Sequence, residues 1–271
     1  IYTRLLSGLP IRPEVTQGQG RNKMHGISEF SPDPILDQQL ILPDYVPVIC
    51  RSFSEINECL RLRYMEYCLS RGWEDSTRFP EGLERDRYDD DAVHILLKDT
   101  VTGASVGTVR IIYHDAARDT DLSLPSFELA HGFREHLRPH LQSDRVIELS
   151  RLTMAREVSR PVSRGDLARG IFPALALIKG VLRAILRDNV GVVVMTVARS
   201  LQRLLEKAGF YYHDVGIRIE HRGKRSPLFR EMTPLMDDLY HHNRTVWHYI
   251  TDQGATWPSP DATSNGVRLL A

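Results

Sequence analysis

The sequence predicts one α/β domain: a mixed, mostly antiparallel central sheet flanked by helices on both faces. Three observations predict it. Strand and helix patterns follow one another as strand, helix, three strands, helix, strand, helix, strand. The stretch "GDLARGIFPALALIKGVLRAILRD" (165–188) has a helical period and joins two strand patterns, so it reads as a crossover after a meander. "VGVVVMTVA" (190–198) is apolar without alternation, as in a buried strand inside a parallel pairing.

The elements follow in order. Residues 1–44 are rich in Gly, Pro, Asn, Gln and Ser without a clear period and read as an N-terminal arm or extension. The domain is expected over 45–251, with a C-terminal tail over 252–271. "YVPVIC" (45–50) is a strand. "SEINECLRLRYMEYCLSRG" (54–72) is a helix with Ser54 as N-cap and Gly72 just past its end. Its stripe runs Ile56, Leu60, Tyr64, Tyr67 and Cys68, with Arg63 beside it. Residues 73–91 are a polar, acidic loop. "AVHILLKD" and "ASVGTVRIIYH" form a hairpin around "DTVTG". Residues 114–144 hold a loop and a short helix, and 145–154 is the next strand. The 165–188 helix carries the stripe Ile171, Leu175, Ile178, Leu182 and Ile185, and Pro173 places its regular part from about there onward. "SLQRLLEKAGF" is a helix capped by Ser200, "YYHDVGIRIEH" (211–221) a strand, and "TPLMDDLYHHN" and "TVWHYITDQG" helices.

Bulk properties bound the function. The chain has 271 residues, 42% of them hydrophobic, enough for a sizeable core. Lys+Arg and Asp+Glu balance at 35 each, so no global field recruits nucleic acid or a membrane surface. Cys50, Cys59 and Cys68 form no even framework and no CxxC pair, which fits a reducing cytoplasm. The first residues lack the apolar region of a signal peptide, and no stretch has the length of a membrane span.

The chemistry concentrates in "RVIELSRLTM" (145–154). Regular alternation puts Glu148 and Arg151 on opposite faces; one bulged residue between them puts both on one face. In so apolar a strand the two charges either form a structural ion pair or line a cleft.

These positions belong to a longer series. Arg63 and Tyr67 stand four apart on the first helix, followed by Trp73, Glu84-x-Asp86-x-Tyr88-Asp89, Gly107-x-x-Arg110, Phe127 and Glu148-Leu149-Ser150-Arg151. Over roughly residues 48–250 the series resembles the signature of the acyl-homoserine-lactone synthases, the autoinducer-making branch of the GNAT acyltransferase superfamily. It also resembles their relatives, the long-chain N-acyl amino acid synthases and the exosortase-associated acyltransferases. Tyr67 stands where the lactone synthases usually have Phe. The gap from Arg110 to Phe127 is longer than usual, and "HRGKRSP", "HNRTVWHYITDQG" and the long arm are more like the other two groups. These departures favour an amino acid, or another primary amine, over S-adenosylmethionine as acceptor.

The resemblance implies a GNAT-type fold and an N-acyltransferase moving a long-chain fatty acyl group from a thioester to that amine. The catalytic set implied is Glu148, Ser150 and Arg151, with Glu148 as the base that removes the amine's proton. Bulged amides of 145–154 would hold the oxyanion. Arg63, Tyr67, Trp73, Asp86, Asp89, Arg110 and Phe127 are the implied substrate-binding residues. Alternatives stay open within that set. Asp86 and Asp89 bind a cationic acceptor or belong to a solvated acidic loop. Arg63, Arg110 and Arg151 pair with these acids or hold an acceptor carboxylate. Trp73 and Phe127 wall a pocket or fill the core.

No metal site is expected; adjacent His241 and His242 point different ways on a helix. No tightly bound cofactor is implied. The co-substrate is an acyl-phosphopantetheine. "SRPVSRGDLARG" (159–170) lacks the Arg/Gln-x-x-Gly-x-Gly/Ala spacing of coenzyme-A sites, which puts acyl-carrier protein ahead of acyl-CoA. An acidic carrier calls for a basic face: Arg164, Arg169, Lys179 and Arg183 near one helix, or Arg222, Lys224 and Arg225 in the tail. The expected setting is cytoplasmic, with transient membrane association through an amphiphilic product. The competing readings are an acyl-homoserine-lactone synthase using S-adenosylmethionine and a non-catalytic sensor of acyl chains or carrier protein.

Overall fold

The computed structural model describes residues 45–114, 123–141, 145–159 and 167–264. The expected arm over 1–44 lies outside them, as does most of the 159–170 loop with Arg164; Arg169 lies in a described helix but its side chain does not.

Strand β1 (Tyr45–Ile49) leads into helix α1 (Phe53–Arg63). The N-cap of α1 is Ser52, not Ser54. Ser52 Oγ accepts from Glu55 N at 3.3 Å, while Glu55 Oε2 accepts from Ser52 N at 3.0 Å, a reciprocal capping box that Ser54 has no glutamate to form. Past Arg63 the helix widens into a π-helical segment, Tyr64–Ser70, and Gly72 ends it at φ +61°. The acidic loop follows, then the hairpin β2 (Val93–Asp99) and β3 (Ser105–Tyr113). Two short helices, α2 (Pro125–Leu129) and α3 (Phe133–Leu141), stand where one was expected. Next come β4 (Arg145–Met154), a single turn α4 (Arg156–Ser159), α5 (Leu167–Ile185) and β5 (Val190–Ala198). Pro173 lies inside α5 rather than at its start.

Helix α6 (Arg199–Lys207) begins after Ala198 with no side-chain cap, so Ser200 sits within its first turn. The strand expected over 211–221 is only two short pieces, β6 (His213–Asp214) and β7 (Ile219–Glu220). The long strand is β8 (Lys224–Glu231), which the sequence hid behind four charged residues and Pro227. β7 pairs with Lys224 and Arg225, and β6 with Leu228 and Phe229, so Pro227 falls in the gap between them, where a missing N–H is tolerated. Helices α7 (Met232–His242), α8 (Arg244–Ile250) and α9 (Pro260–Ser264) complete the chain's described part.

Among the described residues the sheet has eight strands in the order β1-β2-β3-β4-β5-β8-β6, with β7 also on β8, and only β4 and β5 are parallel. Two details of register position the site. First, β3 and β4 pair as Arg110↔Ser150 and then Thr108↔Thr153, so two residues of β4, Arg151 and Leu152, face one of β3. That is a bulge, and Arg151 takes φ +54° within it. Second, β4 and β5 stay paired only to Glu148↔Val194, although both strands continue. The sheet therefore forks immediately beyond Glu148.

On one face α5, α7 and α8 cover Ile95, Ile111, Ile147 and Val193; on the other α2 and α3 cover Ile112, Val146, Val192 and Val194. Helix α5 lies so close to the sheet that a Cβ on Gly180 would meet Pro47 Cβ at 2.7 Å and Ile95 Cγ2 at 2.8 Å. On an exposed helix face Gly→Ala gains about 1 kcal/mol. Here Gly180→Ala is expected to lose about 1–2 kcal/mol, because overpacking at backbone-proximal carbons outweighs propensity. Urea unfolding would show it as a lower midpoint with an unchanged slope.

Candidate active site

The bulge answers the question of the charged strand. Glu148, Ser150 and Arg151 all serve the face of the sheet that carries α1, α2 and the acidic loop. Ser150 and Arg151 are consecutive yet point the same way: Ser150 Oγ accepts from Arg110 Nε at 3.1 Å, and Arg151 bonds the loop that Arg110 also bonds.

Arg63, Arg110 and Arg151 form one cluster with Glu84, Asp86 and Asp89. Arg63 donates to Glu84 Oε2 at 2.5 Å and to both oxygens of Asp89 at 2.7 and 3.0 Å. Arg110 donates to Asp86 at 2.5 and 3.1 Å and to Asp89 at 2.7 Å. Arg151 donates to Glu84 at 3.0 Å and to Asp86 at 2.7 Å. Arg63 and Arg110 are each 0% exposed. Three cations and three anions cancel, which is what permits charges this deep. Burial alone would raise the Asp89 carboxyl; the bonds and charge of Arg63 and the charge of Arg110 outweigh it and hold the pKa far below the carboxylate range. Asp86 is lowered in the same way, burial being overcome by Arg110 and Arg151. His94 lies beneath, its Nε2 3.3 Å from the Asp89 carbonyl, and burial keeps its pKa low. The cluster thus fixes the acidic loop to α1, β3 and β4.

Glu148 is different. It is 2% exposed and accepts from Ser126 N at 2.9 Å, at the start of α2. Burial pushes its carboxyl up to about 7, against the Ser126 hydrogen bonds and the charges of Arg110 and Arg151. Ser126 was not singled out in the sequence; its signal is Pro125 at the first helical position of α2. Ser126 Oγ in turn lies 2.6 Å from Thr196 Oγ1 of β5, bridging the fork.

The fork opens into a cavity of about 310 Å³. Its lining includes Glu148 to Met154 of β4, Thr196 to Ala198 of β5, and Tyr67 and Trp73. Tyr67 and Trp73 stack at 5.6 Å between centroids. The structure adds Arg71, His221, Arg222 and Arg225 to the same wall. Arg222 and Arg225 had been noted only as part of a basic tail, because their position depends on the unforeseen β7–β8 turn. Leu149, Leu152, Val197 and Leu201 also line a second, apolar pocket of about 60 Å³ between the sheet and α5, α6 and α7, so the two adjoin.

Other expected residues lie elsewhere. Asp86 and Asp89 do not line the cavity; their charge meets arginine, and Asp86 also borders a separate, open pocket on the acidic loop. Phe127 is buried against Phe133 and His114. Lys179 and Arg183 both pair with Asp252, Lys179 at 2.5 Å and Arg183 at 2.9 and 3.1 Å, so they clamp the turn after α8 instead of presenting free charge. Among the described residues no His/Cys/Asp/Glu group has a metal-binding arrangement, and no helix is long and apolar enough to cross a membrane.

Removing one anion from the cluster leaves buried cations uncompensated. Asp89→Asn is expected to cost about 3–5 kcal/mol at pH 7. Because the Asp89 pKa is lowered on folding, its contribution is present above about pH 4 and lost as pH falls below it. The variant's stability should therefore fall less steeply than the parent's below pH 4, measured by urea unfolding at several pH values.

Residues 62–162 match the Acetyltransferase (GNAT) domain. A search of curated proteins finds no match. Among solved structures, the AHL synthase LasI is 20% identical with a TM-score of 0.54, over 73% of this chain and 95% of that one. FeeM, an N-acyl amino acid synthase from uncultured soil microbes, is 15% identical with a TM-score of 0.51, over 73% and 96%. BjaI, a CoA-dependent acyl-homoserine lactone synthase solved with MTA, is 18% identical with a TM-score of 0.50, over 80% and 90%. A stretch of the chain thus matches a GNAT acetyltransferase domain, and the chain shares its fold with LasI and FeeM.

Proposed function

We propose that the protein is an N-acyltransferase that moves a fatty acyl group from a carrier-protein thioester to the amine of an amino acid, giving an N-acyl amino acid. The observation that carries this reading is Glu148: a buried carboxyl with a pKa of about 7, at the point where β4 and β5 part. A base near neutrality is suited to taking the proton from an attacking amine, directly or through a water. Beyond Glu148 the β5 side of β4 has no strand partner. A pantetheine arm can lie there as a pseudo-strand, and amides around the bulge at Arg151 can donate to the oxyanion of the tetrahedral intermediate. The adjoining apolar pocket, about 60 Å³ in this structure, has room for only the first carbons of an acyl chain and marks the direction the chain takes. FeeM, named as an N-acyl amino acid synthase, has this fold. A carrier-protein donor is favoured by the degenerate 159–170 sequence, which lacks the spacing that cradles a pyrophosphate.

Glu148→Gln is expected to lower turnover by about 10²–10⁴. The parent's rate should rise with pH through about 7 as Glu148 loses its proton. Stability should respond oppositely. A carboxyl raised from 4.5 to about 7 leaves the fold most stable below its ordinary value and costs roughly 3 kcal/mol once pH passes 7. Glu148→Gln should therefore be more stable than the parent above pH 7, whereas a structural ion pair would make it less stable. The product is read by mass spectrometry of lipid extracts from cells expressing either form. N-acyl amino acids present only with the parent support the proposal. Acyl-homoserine lactones, or no new acylated amine, would overturn it.

A further inference from the structure

The cavity wall is positively charged. Four arginines line it, Arg71, Arg151, Arg222 and Arg225, against one carboxylate, Glu148. Their partners differ. Arg151 is neutralised from behind by Glu84 and Asp86. Arg222 is paired with Glu74 and lies over the Tyr67 ring at 5.5 Å. Arg225 has no carboxylate partner among the described residues. Its Nε donates to the His221 carbonyl at 2.7 Å and its Nη2 to the Arg222 carbonyl at 3.5 Å, while its Nη1 has no hydrogen bond among the described residues. The guanidinium is thus fixed by its own hairpin, with one edge open. Arg71 lies over the same Trp73 ring as Arg225, at 4.7 and 5.5 Å, and its nearest carboxylate, Glu66, is 3.8 Å away.

The backbone supports the arrangement. The turn between β7 and β8 holds Arg222 at φ +52°, a left-handed conformation that a side chain adopts at a cost. Arg225 pairs with Ala198 of β5, and Glu148 with Val194, so the two groups stand at opposite ends of one five-residue stretch of β5. Burial, and the neighbouring charges of Arg151 and Arg71, make the Arg225 site unfavourable for a lone cation. Burial, and the charges of Arg225 and Arg151, lower the pKa of His221 beside it. Arg63 and Arg110 cannot do this work, because every nitrogen of their forks is bonded within the cluster or to Ser150; Arg151 reaches the cavity, but its charge is already met by Glu84 and Asp86.

We propose that Arg225, assisted by Arg71, is a carboxylate-binding subsite that selects an acceptor carrying a carboxylate beside its reactive amine. The proposal rests on the acyl-transfer reading above. It places the acceptor's two ends on different partners: the amine toward Glu148 and the carboxylate toward Arg225. The planar fork of arginine matches a carboxylate in a way that a neutral amide or a cationic acceptor cannot exploit.

Two measurements test it. The first is thiol release from hexadecanoyl-acyl-carrier protein with each L-amino acid, followed by the best acceptor against its carboxamide. The expected result is at least a tenfold lower kcat/KM for the carboxamide. Arg225→Gln should raise the acceptor KM at least tenfold, erase the preference for acid over carboxamide and leave the donor KM unchanged; Arg225→Lys should recover part of it. Equal use of acid and carboxamide would overturn the proposal. So would a change in donor KM alone, which would assign Arg225 to the pantetheine phosphate. The second is equilibrium binding of an N-hexadecanoyl amino acid and its carboxamide, followed by tryptophan fluorescence without turnover. An Arg225-dependent preference for the acid in a protein that turns over nothing would sink the acyl-transfer reading and keep the subsite. Turnover with no acid preference in either measurement would do the reverse.

Discussion

The structure depends on one buried charge balance. Arg63, Arg110 and Arg151 meet Glu84, Asp86 and Asp89 in an interlocked cluster that sums to zero. Each arginine comes from a different element, α1, β3 and β4, and the three acids come from one loop. A long polar segment has little apolar surface with which to hold itself in place. Here every acid has at least two arginine partners, so the loop has one low-energy position. Burying these charges carries a desolvation cost that hydrophobic residues would avoid; what the cluster supplies is a unique geometry.

That geometry governs the strand beside it. Without the bulge, Arg151 would leave Ser150's face of β4 and the cluster would lose a cation. Arg151 accepts a left-handed backbone to stay, so local strain and the charge balance are coupled. The same segment begins at Glu148, where pairing with β5 stops. The fork, the bulge and the buried carboxyl are therefore one feature: a sheet opened beside Glu148, with the bulge three residues further along β4.

The two groups of charge behave in opposite ways. In the cluster, bonds and opposite charges overcome burial at Asp86 and Asp89 and lower their pKa values. At Glu148 burial outweighs the Ser126 hydrogen bonds and the charges of Arg110 and Arg151, and the carboxyl rises to about 7. Buried acids of the same chemistry are thus divided into anions held by arginine and a carboxyl whose pKa is raised to about 7. The fold carries an energetic cost for the second kind, as sites under functional constraint commonly do.

How much of this was legible in the sequence depends on the range of the interaction involved. The order of strands and helices through β5 could be read because hydrophobic period is local, and the charged series from Arg63 to Arg151 could be read as a set of types at given spacings. The alternation of 145–154 even posed the bulge as one of two outcomes. The cap of α1 was misplaced by two residues, since Ser52 and Ser54 differ only in which has a glutamate three residues on. Strand β8 was missed because Pro227 and its charges contradict a local strand pattern, and only pairing with β5 on one side and β6 and β7 on the other overrides them. Lys179 and Arg183 looked like a free basic face until Asp252 folded back onto them. The sequence by itself determined which elements and which charged residue types the molecule has. Only the tertiary structure decided which charges cancel, which carboxyl stays unpaired and which arginine faces the cavity with an open edge, because those depend on contacts between residues far apart in the chain.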